Sequence, residues 1–371
     1  MGGGASKVGM RGAKKTQVSV TCLINVETMI PAEHPIRTIK RLLDEVLGRM
    51  DKAFAEIYAL NGRPSIPPER LLLAKVLMAL YSIRSERQFC ERLQYDLLFR
   101  WFLDLNPDEP TFDHSVFAQN QGRLLGHQVA DRFFAEVVRL AQTRGWVSDQ
   151  HFSVDATLIE AWASLKSFKP KQGDRGGRGD GNGWADFKGE QRRNATHAST
   201  TDAEAKLVRK GDGREAKLAF AGHAAMENRH GLCVLFEVKP AAGSDAEVAV
   251  QQIATLQQRG LTPRTVGADR GYCSHKFIAG LRGRGVVPHP APLQGRRLLG
   301  VKVRSTAHQL SQKCRRKIEE IFGWAKTTGC FRKSRYRGVA RTHAAAQYVV
   351  ATCNLVRMAR LSLGPPAQVR A

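Results

Sequence analysis

Three carboxylates stand where an acidic side chain calls for an explanation. Asp155 lies inside the apolar, β-rich run Phe152-Ser153-Val154-Asp155-Ala156-Thr157-Leu158-Ile159. A charge there is costly unless it is paired or binds metal. Asp269 closes the short apolar run Thr265-Val266-Gly267-Ala268 and precedes Arg270-Gly271-Tyr272. Glu319 lies in a basic helical stretch, Gln309–Thr327. Such a trio suits phosphodiester chemistry, in which two divalent ions about 3.5–4 Å apart activate one oxygen and stabilise another. Mg²⁺ prefers hard oxygen ligands, a few carboxylates plus substrate phosphate. Each residue also has an ordinary explanation. Either Asp could cap a turn or helix, and Glu319 follows Arg315 by the four residues of a helical ion pair. At about 100° per residue, Arg315, Glu319, Phe322 and Lys326 share one helix face, with Trp324 opposite.

The charge balance names a partner. The 371 residues carry 58 Lys+Arg against 34 Asp+Glu, a net charge of +24. A surplus of that size fits a polyanion, of which nucleic acid is the commonest. Residues 1–150 hold 20 basic and 17 acidic residues, so nearly all of the excess lies in 151–371. Candidate phosphate contacts there are Arg270, Arg315, Arg316, Lys317 and Lys326, and the run Phe331–Arg337 with Arg332, Lys333, Arg335 and Arg337. Acidic residues inside so basic a region stand out, because bound DNA repels them unless a cation intervenes.

Other chemistries find less support. The seven cysteines form no C-x-x-C pair, which argues against a zinc ribbon or disulfide framework and for a reducing cytoplasm. The eleven histidines show no H-E-x-x-H spacing, and the Gly-rich stretch 173–183 lacks a phosphate-loop pattern. His223 and His230 stand near the second pair of strands. Trp184 and Phe187 flank a basic loop, where they could stack on bases or anchor a small insertion. No secretory signal opens the chain and no window is long and apolar enough to span a membrane.

These residues need elements to hold them. Residues 1–30 read as a loose lead-in, 31–145 as an all-α domain, 146–362 as an α/β domain, and 363–371 as a tail. Ile36, Ile39, Leu42, Leu43, Val46 and Leu47 recur at helical spacing, as do Leu71 to Leu80 after Pro67-Pro68. This helical part could be a scaffold or dimerisation unit, or a DNA-binding one. After Trp146 the order becomes β, insertion, β, β, α, β, α, β, α. The strands are expected at 152–159, 217–226, 232–238, 265–268 and 286–288, and the helices at 245–258, 274–284, 309–327 and 344–361. A Gly-, Lys- and Arg-rich loop, 169–183, lies within a basic insertion at about 164–214. Such an order fits one mixed sheet with helices on its faces.

At this point the motifs resemble those of a family. Arg315-(x3)-Glu319-(x6)-Lys326 resembles the third-carboxylate signature of bacterial insertion-sequence DDE transposases of the IS-four and IS-five groups, Tyr-x2-Arg-x3-Glu-x6-Lys. Lys317-Ile318-Glu319-Glu320-Ile321-Phe322-Gly323-Trp324-Ala325-Lys326 resembles the family's stretch around it. Val154–Ile159 is similar to the first-Asp strand and Ala268–Tyr272 to the second-Asp motif. The stretches 187–189, 196–202 and 224–231 resemble the IS-five subgroup. The signature's Tyr is replaced by Gln312 here.

The resemblance implies an RNase H-like mixed sheet flanked by helices, with an all-α amino-terminal domain before it. It implies Mg²⁺, with Mn²⁺ as a substitute, held by Asp155, Asp269 and Glu319, and DNA contacts or support of Glu319 from Arg315 and Lys326. The implied reaction nicks transposon ends and joins their 3′-hydroxyls to target DNA. The implied partners are double-stranded DNA, as terminal inverted repeats and target, and further copies of the chain in a dimer or larger synaptic complex. Two alternatives stay open: a DNA-binding remnant without activity, and an RNase H-like nuclease without strand transfer.

Overall fold

Local signals start the helices. In the computed structural model, which describes residues 25–57, 65–171, 192–209, 211, 215–293, 301 and 305–364, eight helices precede the first strand. They are α1 (Val26–Met29), α2 (Pro35–Gly48), α3 (Asp51–Ala55), α4 (Pro68–Leu80), α5 (Glu86–Leu93), α6 (Leu97–Phe102), α7 (His114–Gly126) and α8 (Val129–Thr143). Helix α2 begins with Pro35, whose missing N–H costs nothing at a first position. It buries the apolar stripe Ile36, Ile39, Leu42, Leu43, Val46 and Leu47. Helix α4 begins at Pro68 and buries nearly its whole length.

The second part follows the expected order. Its strands and helices are β1 (His151–Glu160), β2 (Phe168–Pro170), β3 (His197–Ser199), β4 (Lys206–Val208), β5 (Lys217–Glu227), β6 (Leu232–Pro240), α9 (Asp245–Gln258), β7 (Thr265–Ala268), α10 (His275–Arg282), β8 (Val287–Pro290), α11 (Thr306–Arg315), α12 (Ile318–Lys326) and α13 (Val339–Ser362). Strand β1 is central. It pairs antiparallel with β5 and parallel with β7. Strand β6 lies antiparallel to β5, and β8 parallel to β7. The short β4 continues the outer edge of β5, and β2 and β3 form a separate ribbon. Three antiparallel strands followed by two parallel ones, with β1 in the middle, make a mixed α/β sheet of RNase H-like topology.

One expectation needs correcting. The stretch Gln309–Thr327 is two helices, α11 and α12, broken at Arg316-Lys317. Three-residue hydrogen bonds carry the chain through the break: Lys317 N–H to Cys314 O (3.1 Å), Glu319 N–H to Arg316 O (3.1 Å) and Glu320 N–H to Lys317 O (3.0 Å). The single helix face drawn from Arg315 through Lys326 is therefore interrupted.

The two parts share one apolar core, continuous from Ile30 to Ala359. Helix α13 is the reason. It packs on β6 along one side and on α8, α4 and α2 along the other, which is why so much of its circumference is buried. His343 on α13 joins in: its Nδ1 accepts from Val238 N–H (3.1 Å) and its Nε2 donates to Asp131 on α8 (2.7 Å). The lead-in up to residue 24, the heart of the basic insertion (172–191), Trp184, Phe187 and the tail from residue 365 lie outside the described residues.

Candidate active site

The sheet register brings the first two carboxylates near each other. Ser153 on β1 pairs with Gly267 on β7, and both strands run in the same direction. Two residues further along the chain stand Asp155 on β1 and Asp269 just past the end of β7, and the Asp269 charge acts on Asp155. Helices α11 and α12 pack against these strands. A Cβ on Gly267 would stand 2.8 Å from Ser311 Oγ of α11, so glycine is what lets the helix settle this close. Asp269 lies at the carboxyl end of its strand, where open α/β sheets place their sites. Its Oδ1 accepts from Gly271 N–H (2.8 Å), which fixes the turn that follows.

Asp155 is half-buried, and Ala156 N–H donates to its Oδ1 (2.8 Å). Burial pushes its carboxyl up to about 6, the negative charges of Asp269 and Glu319 add to this, and Arg315 opposes it. The same charges bear on neighbours. Burial, then Asp269, raises Asp245 at the start of α9. Burial, then Asp155, Asp245 and Asp269, holds the buried Tyr272 phenol far above its ordinary range. Asp245 is thus a fourth carboxylate beside the site, and a hydrophilic helix start gave no sign of it in the sequence.

Helices α11 and α12 bring the remaining groups. Gln312 Nε2 donates to His289 O (2.5 Å) and Ala268 O (3.3 Å), tying α11 to the ends of β8 and β7. Its Oε1 accepts from Arg315 Nε (3.3 Å). Arg315 forms no ion pair with Glu319 among the described residues, so the ordinary explanation of Glu319 as half of a helical salt bridge fails. Glu319 is exposed and acts on Asp155, whereas Glu320 acts on the Cys353 thiol of α13. Lys326 Nζ donates to Thr157 Oγ1 (2.5 Å), two residues beyond Asp155 on the same strand face. Gln312 and Thr157 are positioning groups that sequence reading missed. The Gln was visible only as a departure from the signature, and the Thr not at all.

The other basic residues divide into two places. Arg270, Arg316 and Lys317 are exposed beside the carboxylates. The loop after α12 instead runs to the far end of β1, where Lys333 bridges Glu160. There Arg332 and Arg337 are exposed, and Arg335 Nη1 donates to Arg84 O of the helical part (2.5 Å). His223, buried on β5, is pushed down to about 4 by burial and then by Lys239; His230 lies in the β5–β6 turn, where its N–H donates to Glu227 Oε2 (2.8 Å).

The donor set suits a hard cation. Among the described residues no group of three or more His, Cys, Asp or Glu side chains is placed to hold a metal ion. Mg²⁺ does not need one: it is usually held by one or two carboxylates plus substrate phosphates, and keeps several waters. Asp155 and Asp269, with Glu319 acting on Asp155, match that habit. Asp155, whose charge is disfavoured by burial and by two like charges, is a group that gains most from a cation.

A mixed sheet of RNase H-like topology, with Asp155 on β1, Asp269 just past β7 and Glu319 on α12, is the fold and the candidate site. Comparison gives the family. Residues 147–355 match the transposase DDE domain, and residues 24–123 match a transposase domain (DUF772). The chain belongs to the DDE transposase family, as an insertion-sequence transposase of the IS-four-like superfamily. No curated protein matches it. Among solved structures it is similar to a piggyBac transposase synaptic complex with hairpin DNA, at 9% identity, with 90% of this chain and 77% of that one covered and a TM-score of 0.42. It is also similar to a pre-cleavage Mos1 transpososome, at 11% identity, with 81% and 82% covered and a TM-score of 0.21. Among the described residues no helix is long and apolar enough to cross a membrane.

Proposed function

We propose that this transposase cleaves the ends of an insertion sequence and joins their 3′-hydroxyls to target DNA. Asp155, Asp269 and Glu319 would hold Mg²⁺, with Mn²⁺ as a substitute. A divalent ion bound there supplies charge stabilisation to the oxygens that attack and leave. Arg315, steadied by Gln312, and Lys326, steadied by Thr157, hold the phosphate flanking the reacting bond. Arg270, Arg316 and Lys317 extend that contact, and Arg332, Lys333, Arg335 and Arg337 grip the backbone further along. The substrate is double-stranded DNA carrying terminal inverted repeats, and two ends are brought together by a dimer or larger synaptic assembly. Residues 31–145 serve it as a DNA-binding or dimerisation unit, and 146–362 as the catalytic unit.

One observation carries the reading: Asp155 on β1, Asp269 just past the parallel β7 and Glu319 on α12 stand near enough for the last two to disfavour the Asp155 charge. The test incubates the protein with Mg²⁺ and duplexes bearing the element's ends. Nicking and joining that are lost in Asp155→Asn, Asp269→Asn and Glu319→Gln, with DNA binding kept, support it. Strong residual cleavage in any variant removes that residue from the site. Nicking without joining identifies a nuclease, and binding without either identifies an inactive remnant.

A further inference from the structure

One cavity lies away from the carboxylates, between the helical part and the catalytic part. It encloses about 370 Å³, within the roughly 300–1,000 Å³ of small-molecule sites. Its walls come from α4 and α7 on one side and from α13 and the loop before it on the other. Met78, Ile83, Leu124, Phe331, Tyr348 and Val349 make it largely apolar, and with Tyr336 it has three aromatic rings. Its single described carboxylate is Glu86, and that charge is spent. Lys75 Nζ lies 2.9 Å away, Tyr336 Oη donates to it at 3.1 Å, and Gln121 donates as well.

The mouth is strongly cationic. Arg84, Lys333, Arg335 and Arg341 line it, and none forms an ion pair with a described carboxylate. Arg84, Arg335 and Arg341 are exposed. Arg335 spends one N–H on Arg84 O, and Lys333 lies 5.9 Å over the Trp162 ring, so neither charge is neutralised. An occupant must therefore combine a flat apolar body with an anionic group. A nucleotide has that chemistry: the base can lie against aromatic and aliphatic walls, and the phosphate on arginine.

We infer that this cavity is a nucleotide-binding site, with the base inside and the phosphate at the Arg84–Arg341 mouth. The nucleotide is either free or one unit of a DNA strand. Because its walls come from both parts of the chain, a bound nucleotide also clamps them together. The site shares Lys333 and Arg335 with the backbone grip proposed above but no residue with the carboxylates, so its binding can be tested in Asp155→Asn protein, where loss of cleavage and loss of nucleotide binding are read separately.

Gly122 on α7 lines the cavity, and a Cβ there meets nothing within 4 Å. Gly122→Trp therefore adds an indole at the cavity wall without backbone strain. Calorimetry on the full chain should show saturable binding of deoxyadenosine monophosphate. Deoxyadenosine and inorganic phosphate should each bind at least about tenfold more weakly, and so should the monophosphate to Gly122→Trp. Arg341→Ala, which touches no core, should weaken it several-fold and carries the test if Gly122→Trp melts early. Monophosphate binding no tighter than inorganic phosphate, or unchanged in both variants, overturns the inference. A DNA strand with 2-aminopurine distinguishes the sources. A fluorescence change lost in Gly122→Trp assigns the site to a DNA nucleotide; monophosphate binding without that change assigns it to a free one.

Discussion

Replacing Asp155 by Asn should make the metal-free protein more stable while abolishing cleavage. The ordinary carboxyl value is 3.8, and burial with two like charges lifts Asp155 to about 6. That gap amounts to about 3 kcal/mol against the charged form at pH 8. The half-buried carboxylate keeps some solvent, so the realised figure is nearer half to all of that. Asn keeps the Oδ1 acceptor used by Ala156 N–H and removes only the charge. The sign follows from linkage. A carboxyl raised in the fold costs nothing well below its unfolded value, and the cost grows as pH rises through the folded value. The cost is thus complete above about pH 6, and about one third of it is present at pH 4.5. With chelator at pH 8, scanning calorimetry should find Asp155→Asn melting roughly 2–4 °C above the parent, a gap that narrows at pH 4.5. Added Mg²⁺ should raise the parent and leave the variant nearly unmoved. A variant that melts at or below the parent in chelator, or a gap independent of pH, refutes the electrostatic account of this site.

Other tests follow from particular contacts. Gln312→Ala should slow cleavage about 10- to 100-fold with DNA affinity nearly unchanged, because a small misplacement of a positioned group is enough to cost that much. Gln312→Tyr, which restores the signature residue, should not rescue it, since a phenol offers one donor where the amide uses two and an acceptor; equal activity in either variant refutes the tether. His223 and His289 are buried and pushed down to about 4. Their neutral forms support the fold above about pH 6.5, and each should withdraw about 3 kcal/mol as pH falls to about 4; urea titrations of His289→Gln that keep the parent's acid sensitivity would count against this. DNA affinity should fall steeply between about 50 and 200 mM salt, and a flat dependence would remove the phosphate contacts assigned to the arginines.

Much of the fold was legible because its signals are local. Helix α9 has the bounds expected of it, since Ser244 caps it and Glu247 stands three residues on. Strand β7 also matched, as a four-residue apolar run that ends in a turn-capping Asp. The join between the two parts was not legible. It depends on α13 packing on β6 and α8 at once, and on Arg335 and Tyr336 reaching Arg84 and Glu86 across some 250 positions. Helical periodicity records that a residue is buried, and says nothing of which distant surface buries it.

The broken helix shows the same limit at the site itself. No glycine or proline marks Arg316-Lys317, so periodicity carries a single helix through it. The break comes from two docking surfaces with different demands. Helix α11 is drawn to the ends of β7 and β8 by Gln312, and by His308 Nε2 against Pro290 O (2.9 Å). Helix α12 is drawn under β1 and α13 by Ile318, Ile321 and Phe322. Separating the helices has a chemical consequence. Arg315 and Glu319 no longer sit on one continuous turn, and the ion pair that would neutralise both does not form. Arg315 turns to Gln312 and Asp155, while Glu319 stays exposed and forms no ion pair among the described residues. A helix that tied Glu319 to Arg315 in a salt bridge would neutralise both charges; with the break, Glu319 stays an exposed carboxylate whose charge acts on Asp155.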